Sequence, residues 1–315
     1  MTMRQRAQRT GVLYILLAVL GYSFFPILTK KILGAGLAPL DLALWRFVFA
    51  APAFWLIIAA LRLSVPEIPL PRYRLLLMGT LLAIAALTAI LGLSSPIPAS
   101  TYVVLFYTYP AMVALMSAIM GEPLSMTGWV ALVMTLIGIG LTVPDFGQGL
   151  SSASVGGILL ALINAAVVAV YFILNNRLLR PYTSPAYLAR ASAWAVNGAL
   201  VVMLGIGLTR AVKTPATIDI WVALVVVSLF CTVMPVFALT NGIQRLGPAR
   251  ASIMGTVEPV LTLIWSLLFL NEGEQLKVVQ FIGAAFIIGS VVLLQVPQLL
   301  RRPRTFQAEV SMGAD

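Results

Sequence analysis

Residues Ala249 to Asn271, ARASIMGTVEPVLTLIWSLLFLN, decide how the rest of the chain is read. A helix rising about 1.5 Å per residue over this stretch covers the roughly 30 Å hydrocarbon core of a bilayer. Glu258 then falls close to the midplane. An ionisable group there costs about 2.5–3.5 kcal/mol even on lenient insertion scales, so it faces protein or a water-filled cavity and not lipid. Pro259 follows it directly. Proline removes a backbone donor and disturbs the helix one turn earlier, freeing a carbonyl that must be satisfied inside the bundle. A carboxylate beside a helix defect at that depth is a place to expect a substrate.

The composition fits that setting. Hydrophobic residues make up 61% of the 315 positions and charged residues only 10%, against about 25% charged in a typical soluble domain. The chain is therefore expected to be an integral membrane protein. Its net charge of +10 is carried by residues between apolar runs, where basic side chains set orientation, so nucleic acid is not an expected partner. With one cysteine, Cys231, no internal disulfide can form.

Ten apolar spans are expected, at 11–33, 39–62, 72–93, 98–120, 125–143, 154–178, 185–209, 217–240, 249–271 and 276–297. A basic N-terminus precedes them over residues 1–10, and a polar tail over 303–315 reads as disordered. If the N-terminus is cytoplasmic, fourteen of the 20 Lys and Arg residues fall on the inner side, so both termini are expected there. No lysine or arginine is placed at the midplane. Arg46, early in the second span, is expected to snorkel outward or to pair with Asp41, with Arg190 as its counterpart inside.

The chain also repeats. FPILTKKIL at Phe25 to Leu33 returns 146 residues later as YFILNNRLL at Tyr171 to Leu179. Pro98-Ala99 precedes Glu122 by 24 residues, as Pro248-Ala249 precedes Glu272. Inside those spans Tyr109-Pro110 corresponds to Glu258-Pro259. Two copies of a five-span unit, residues 11–143 and 154–297, must enter the membrane from opposite sides because five is odd, which gives an inverted-topology repeat. That architecture favours a transporter.

The doubled unit, the mid-span Tyr109-Pro110 and Glu258-Pro259 pairs, and Gly121-Glu122 and Asn271-Glu272 closing the fourth and ninth spans resemble the drug/metabolite transporter superfamily in its EamA-domain branch. Within that branch the chain looks most like the YddG-type exporters of aromatic amino acids of bacterial inner membranes. The resemblance implies an all-helical basket of ten membrane helices. Its central cavity would be lined by spans 1, 3, 4, 6, 8 and 9, with spans 5 and 10 at the periphery, and the direction would be export.

Helical spacing offers its own view of the cavity. Tyr102, Phe106 and Tyr109 share one aromatic face of the fourth span, with Tyr107 pointing elsewhere. Glu258, Thr262, Trp265 and Phe269 share a face of the ninth. Ala18, Tyr22, Phe25 and Thr29 match Asn164, Val168, Tyr171 and Asn175 in the first and sixth spans. The expected substrate-binding set is Glu258, Tyr102, Phe106, Tyr109, Asn164, Trp265, Tyr22 and Tyr171. In it the aromatic face opposed by Trp265 holds a ring, Glu258 an ammonium, and broken backbone with Asn164 a carboxylate. The bland rival is that aromatic stripes pack and that Asn164 ties helices together. Gly79, Ala83 and Ala86 read as a helix-packing stripe.

Other classes fit poorly. With no histidine, one cysteine and the internal aspartates Asp41, Asp145 and Asp219 in loops or at span ends, the chain has no triad, no metal-ligand set and no intramembrane aspartyl pair. It has no phosphate-binding loop for ATP. No enzyme activity, cofactor, metal or obligate protein partner is expected, only a small molecule and the lipid bilayer. The competing expectation is a proton-coupled exporter of lipophilic cations.

Overall fold

A computed structural model describes residues 3–63, 69–94, 102, 105–142, 155–182, 184–269 and 278–300. Every regular element among them is helical. In chain order these are α1 (Met3–Ser23), α2 (Phe25–Gly34), α3 (Pro39–Ala60), α4 (Arg72–Leu93), α5 (Tyr109–Ile119), α6 (Met126–Thr142) and α7 (Val155–Leu179). After them come α8 (Pro185–Leu208), α9 (Ile218–Ser228), a π-helical turn Leu229–Val233, α10 (Met234–Leu246), α11 (Pro248–Gly255), α12 (Glu258–Phe269) and α13 (Val278–Leu300). Six stretches are long and apolar enough to cross a membrane: Ala7–Gly34, Pro39–Ala60, Arg72–Leu93, Val155–Leu179, Pro185–Leu208 and Ile218–Leu246. Shorter apolar helices at Tyr109–Ile119, Met126–Leu141 and Phe281–Leu293 fall in the expected fourth, fifth and tenth spans. The eighth span runs on to Leu246, past the expected end at 240. Pro98-Ala99, Asn271-Glu272, the side chain of Phe269 and the tail at 303–315 lie outside the described residues.

Apolar side chains cover the outside of the bundle as well as filling its core. Large apolar residues such as Leu56, Ile119, Leu208 and Phe281 face outward, while Asp41, Arg46, Asn164, Asn175 and Asn241 are buried. Lipid accepts the former, and the latter need protein partners because hydrocarbon offers none.

Four segments are broken, and each break carries a proline at the second position of the helix that follows: Pro26 in α2, Pro110 in α5, Pro235 in α10 and Pro259 in α12. Proline has no N–H to donate one turn back, so the preceding turn loosens, whereas in the first turn of a new helix no donor is missed. Hydroxyls take up carbonyls beside these breaks, Ser23 to Leu20 at 2.8 Å, Thr108 to Leu105 at 2.7 Å and Thr256 to Ile253 at 2.5 Å. The ninth span is therefore not the single helix its hydropathy suggests. It is α11 and α12, separated at Thr256-Val257, with Glu258 as the first residue of α12.

Packing between the unbroken helices relies on small residues. A Cβ on Gly79 of α4 would lie 2.7 Å from the Gly198 Cα of α8, so the two backbones meet there. α6 and α13 pack chiefly on each other, joined by a Thr135–Ser290 hydroxyl bond of 2.8 Å, and beyond that touch the broken ninth segment, α11 and α12.

The connections gather at two ends. At one end Tyr182 donates to the Pro69 carbonyl at 2.8 Å, Arg190 to the Leu63 carbonyl at 3.1 Å, and Arg180 pairs with Glu122 at 3.3 Å. Gly121 sits there at φ 82°, a conformation open to glycine, and turns the chain out of α5 toward Glu122. At the other end Trp45 donates to the Lys213 carbonyl at 3.2 Å and Arg210 pairs with Asp41 at 2.5 Å. Asp41 thus has a partner other than the Arg46 expected for it.

Candidate functional site

The breaks in the fourth and ninth spans interlock. Tyr109, first residue of α5, donates its hydroxyl to the Ser252 carbonyl of α11 at 3.3 Å and lies against Gly255, where α11 ends. Reciprocally, Tyr107, in the turn before α5, lies close to the Glu258 carboxylate at the start of α12. The expectation that Tyr107 points elsewhere is corrected here. Successive residues advance about 100° only while the helix lasts, and the turn at Tyr107-Thr108 resets that phase.

Glu258 is enclosed by protein yet keeps partial accessibility, and so does Tyr22, as expected of side chains lining an internal space. The carboxylate sits on the first residue of a helix, where the aligned peptide dipoles favour negative charge. Tyr22, Tyr107, Tyr109 and Cys231 all lie within its electrostatic range. An aromatic wall continues from it. Phe106 is 5.1 Å from Tyr107 and 5.2 Å from Tyr109, and Tyr109 is 5.7 Å from Phe172 of α7, centroid to centroid.

The other expected residues distribute differently. Trp265 is engaged at the break of the first segment. Its indole donates to the Ser23 hydroxyl at 2.9 Å and stacks on Phe24 at 4.6 Å, while Thr262 donates to the Ser23 carbonyl at 3.1 Å. The Glu258 face of α12 is thus laid against the break of the first segment, because the loosened turn there presents polar backbone that needs donors. Tyr102 and Asn164 form a separate pair, Asn164 donating to the Tyr102 hydroxyl at 2.7 Å and Tyr102 to the Thr88 carbonyl at 3.3 Å. That pair packs with Ala161 and Leu93, away from Glu258 except through Phe106. Tyr171 lies within electrostatic range of Tyr22 and accepts from Asn175 at 3.4 Å. Asn175 also donates to Thr240 at 3.1 Å, and Ser192 joins the same network at 3.3 Å.

Arg46 was expected at the outer surface, with no basic residue at the centre. It is instead only 7% exposed. Its Nε donates to the Thr232 hydroxyl at 2.6 Å and its Nη2 to the Cys231 carbonyl at 3.2 Å, in the middle of Ile218–Leu246. The reason lies in the sequence of that segment. Pro235 stands four residues after Cys231 and has no N–H, so the Cys231 carbonyl is left for another donor. A π-turn beside a proline is a common device at functional positions. The useful signal was this spacing, together with an arginine inside an apolar span.

Broken helices around an enclosed carboxylate, with apolar side chains outward, define a multi-pass membrane protein built to hold a small molecule within the bundle. The chain belongs to the EamA-like transporter family, whose model matches residues 9–143 and again 155–296. It is a membrane transporter of that family. It is similar to the uncharacterized transporter YcbK of Bacillus subtilis (strain 168), 25% identical over 88% of this chain and 90% of the relative. It is also similar to the uncharacterized transporter YdfC of the same organism, 26% identical over 92% of each chain. A solved crystal structure shares the fold with a TM-score of 0.70 at 18% identity, over 94% of this chain and 100% of that one.

Proposed function

We propose that the protein is a secondary transporter that exports α-amino acids, aromatic ones preferentially, by alternating access between two inverted five-helix repeats of a ten-helix bundle in a bacterial inner membrane. The observation that carries this reading is Glu258, a carboxylate enclosed at the start of α12 and walled by Tyr22, Tyr107, Tyr109 and Phe106. A substrate ammonium pairs with the carboxylate and is further held by the faces of the surrounding rings. The Phe106, Tyr109 and Phe172 rings give a flat apolar surface for an aromatic side chain. Interlocked breaks supply the mobile part, since each half-helix can re-aim without breaking the hydrogen bonds of its neighbours.

The same carboxylate among aromatic rings suits a lipophilic cation exchanged for a proton, and this is the second reading. Purified protein in liposomes separates the two. Loaded with labelled tryptophan, phenylalanine and threonine, the vesicles are expected to release the aromatic amino acids fastest. Export of a cationic dye driven by a proton gradient, with no amino-acid release, would replace the first reading by the second.

A further inference from the structure

The Glu258 site contains a second charge that the substrate reading has not used. Arg46 is buried, and the partners it has are neutral: the Thr232 hydroxyl, the Cys231 carbonyl, and the Phe25 ring 4.4 Å beneath its guanidinium. A guanidinium carries five N–H donors. Among the described residues Nη1 makes no hydrogen bond, and the nearby carboxylate Asp41 is held by Arg210 at 2.5 Å. A buried cation without a counter-anion is poorly compensated, so the position favours an incoming anion. Arginine's fork matches a carboxylate with two parallel bonds, where lysine offers only a point charge.

Arg46 and Glu258 share neighbours. Tyr22 lies within electrostatic range of both, and so does Cys231. The two charges nevertheless form no ion pair with each other among the described residues, in contrast to Arg210 and Asp41. Both also stand at helix breaks: Arg46 holds the carbonyl freed by Pro235 and covers Phe25, the residue before Pro26, and Glu258 precedes Pro259. A ligand spanning them would tie three broken segments together.

We propose that Arg46 binds the substrate's carboxylate while Glu258 binds its ammonium, so that the site recognises the zwitterionic head of an α-amino acid and discriminates against amines and organic cations. This rests on the reading of Glu258 as the ammonium site. It replaces Asn164, which is engaged with Tyr102, as the expected carboxylate partner.

The test measures binding of tryptophan and of tryptamine, which lacks the carboxylate, to purified wild type, Arg46→Gln and Arg46→Lys. Wild type is expected to bind tryptophan about tenfold or more tighter than tryptamine, the worth of one charge-assisted pair. Arg46→Gln should weaken tryptophan by about that factor and leave tryptamine within about twofold, with Arg46→Lys between the two. Retained tryptamine binding shows that the variant is folded. If Arg46→Gln does not fold, Arg46→Lys alone must shift the ratio toward tryptamine. Equal weakening of both ligands, or unchanged tryptophan binding, would overturn the assignment and leave the amino-acid reading standing. Wild type that binds tryptamine as tightly as tryptophan overturns it too, and wild type that binds neither removes the amino-acid reading together with this inference.

Discussion

Two tyrosines on one segment serve opposite ends. Tyr107 reaches the Glu258 carboxylate, and Tyr102 is bound up with Asn164 and the Thr88 carbonyl. Removing the charge at Glu258 without changing its shape should therefore be a functional lesion, and removing the Tyr102 hydroxyl a structural one. Glu258→Gln is expected to keep the wild-type melting temperature and to lower tryptophan transport by an order of magnitude or more, since a hydrogen bond to a charged group is worth about 1.5–3 kcal/mol. Tyr102→Phe leaves the buried Asn164 amide short of a partner and should cost about 1–3 kcal/mol of stability with little effect on transport per folded molecule. Thermal melting and proteoliposome flux, measured on both variants, check the pair. A Glu258→Gln variant that transports at the wild-type rate would leave this carboxylate with a structural role alone.

The breaks are the elements that turn buried residues into a site. Pro235 is the most specific case, because restoring a backbone N–H there gives the Cys231 carbonyl a helical partner in competition with Arg46. Pro235→Ala is expected to hold or raise the melting temperature while slowing transport, as the π-turn relaxes into regular helix and the guanidinium loses its anchor. Unchanged flux in a more stable variant would show that the turn is incidental. At this scale much could be read in the sequence: an X-Pro pair inside an apolar span marks a break, a charge beside it marks the interior, and the Gly79 stripe marks a close helix crossing. Less legible was what faces what. Helical phase holds only while the helix lasts, and it ends at Tyr107-Thr108, which is why spacing alone sends Tyr107 away from Glu258. Arg46 was assigned to the surface because an arginine near a span end usually snorkels. The freed Cys231 carbonyl that draws it inward belongs to a segment 185 residues further along, and no local pattern announces that contact.

For the whole molecule, the proposed function implies one central chamber between the two gathered ends, closed in turn by each half of the chain. α6 and α13, paired chiefly with each other and touching α11 and α12, are on the proposed reading the support against which the remaining helices rock. In this account the chamber is reached from either side in turn, both termini are cytoplasmic, and the ligand sits beside Glu258. Val168 reports on it without belonging to the binding groups, being partly accessible on α7 and packed against the core cluster that includes Tyr107, Tyr109 and Tyr171. The decisive measurement is thiol labelling of Val168→Cys in a Cys231→Ser background, with an impermeant reagent applied to intact cells and to inside-out vesicles. Thr214→Cys is expected to mark the outer face and Pro123→Cys the inner one. The account predicts that Val168→Cys reacts from both sides, that tryptophan slows both reactions, and that this protection disappears when Glu258→Gln is added. Reaction from one side only, or labelling that tryptophan does not slow, would contradict a central amino-acid site with alternating access.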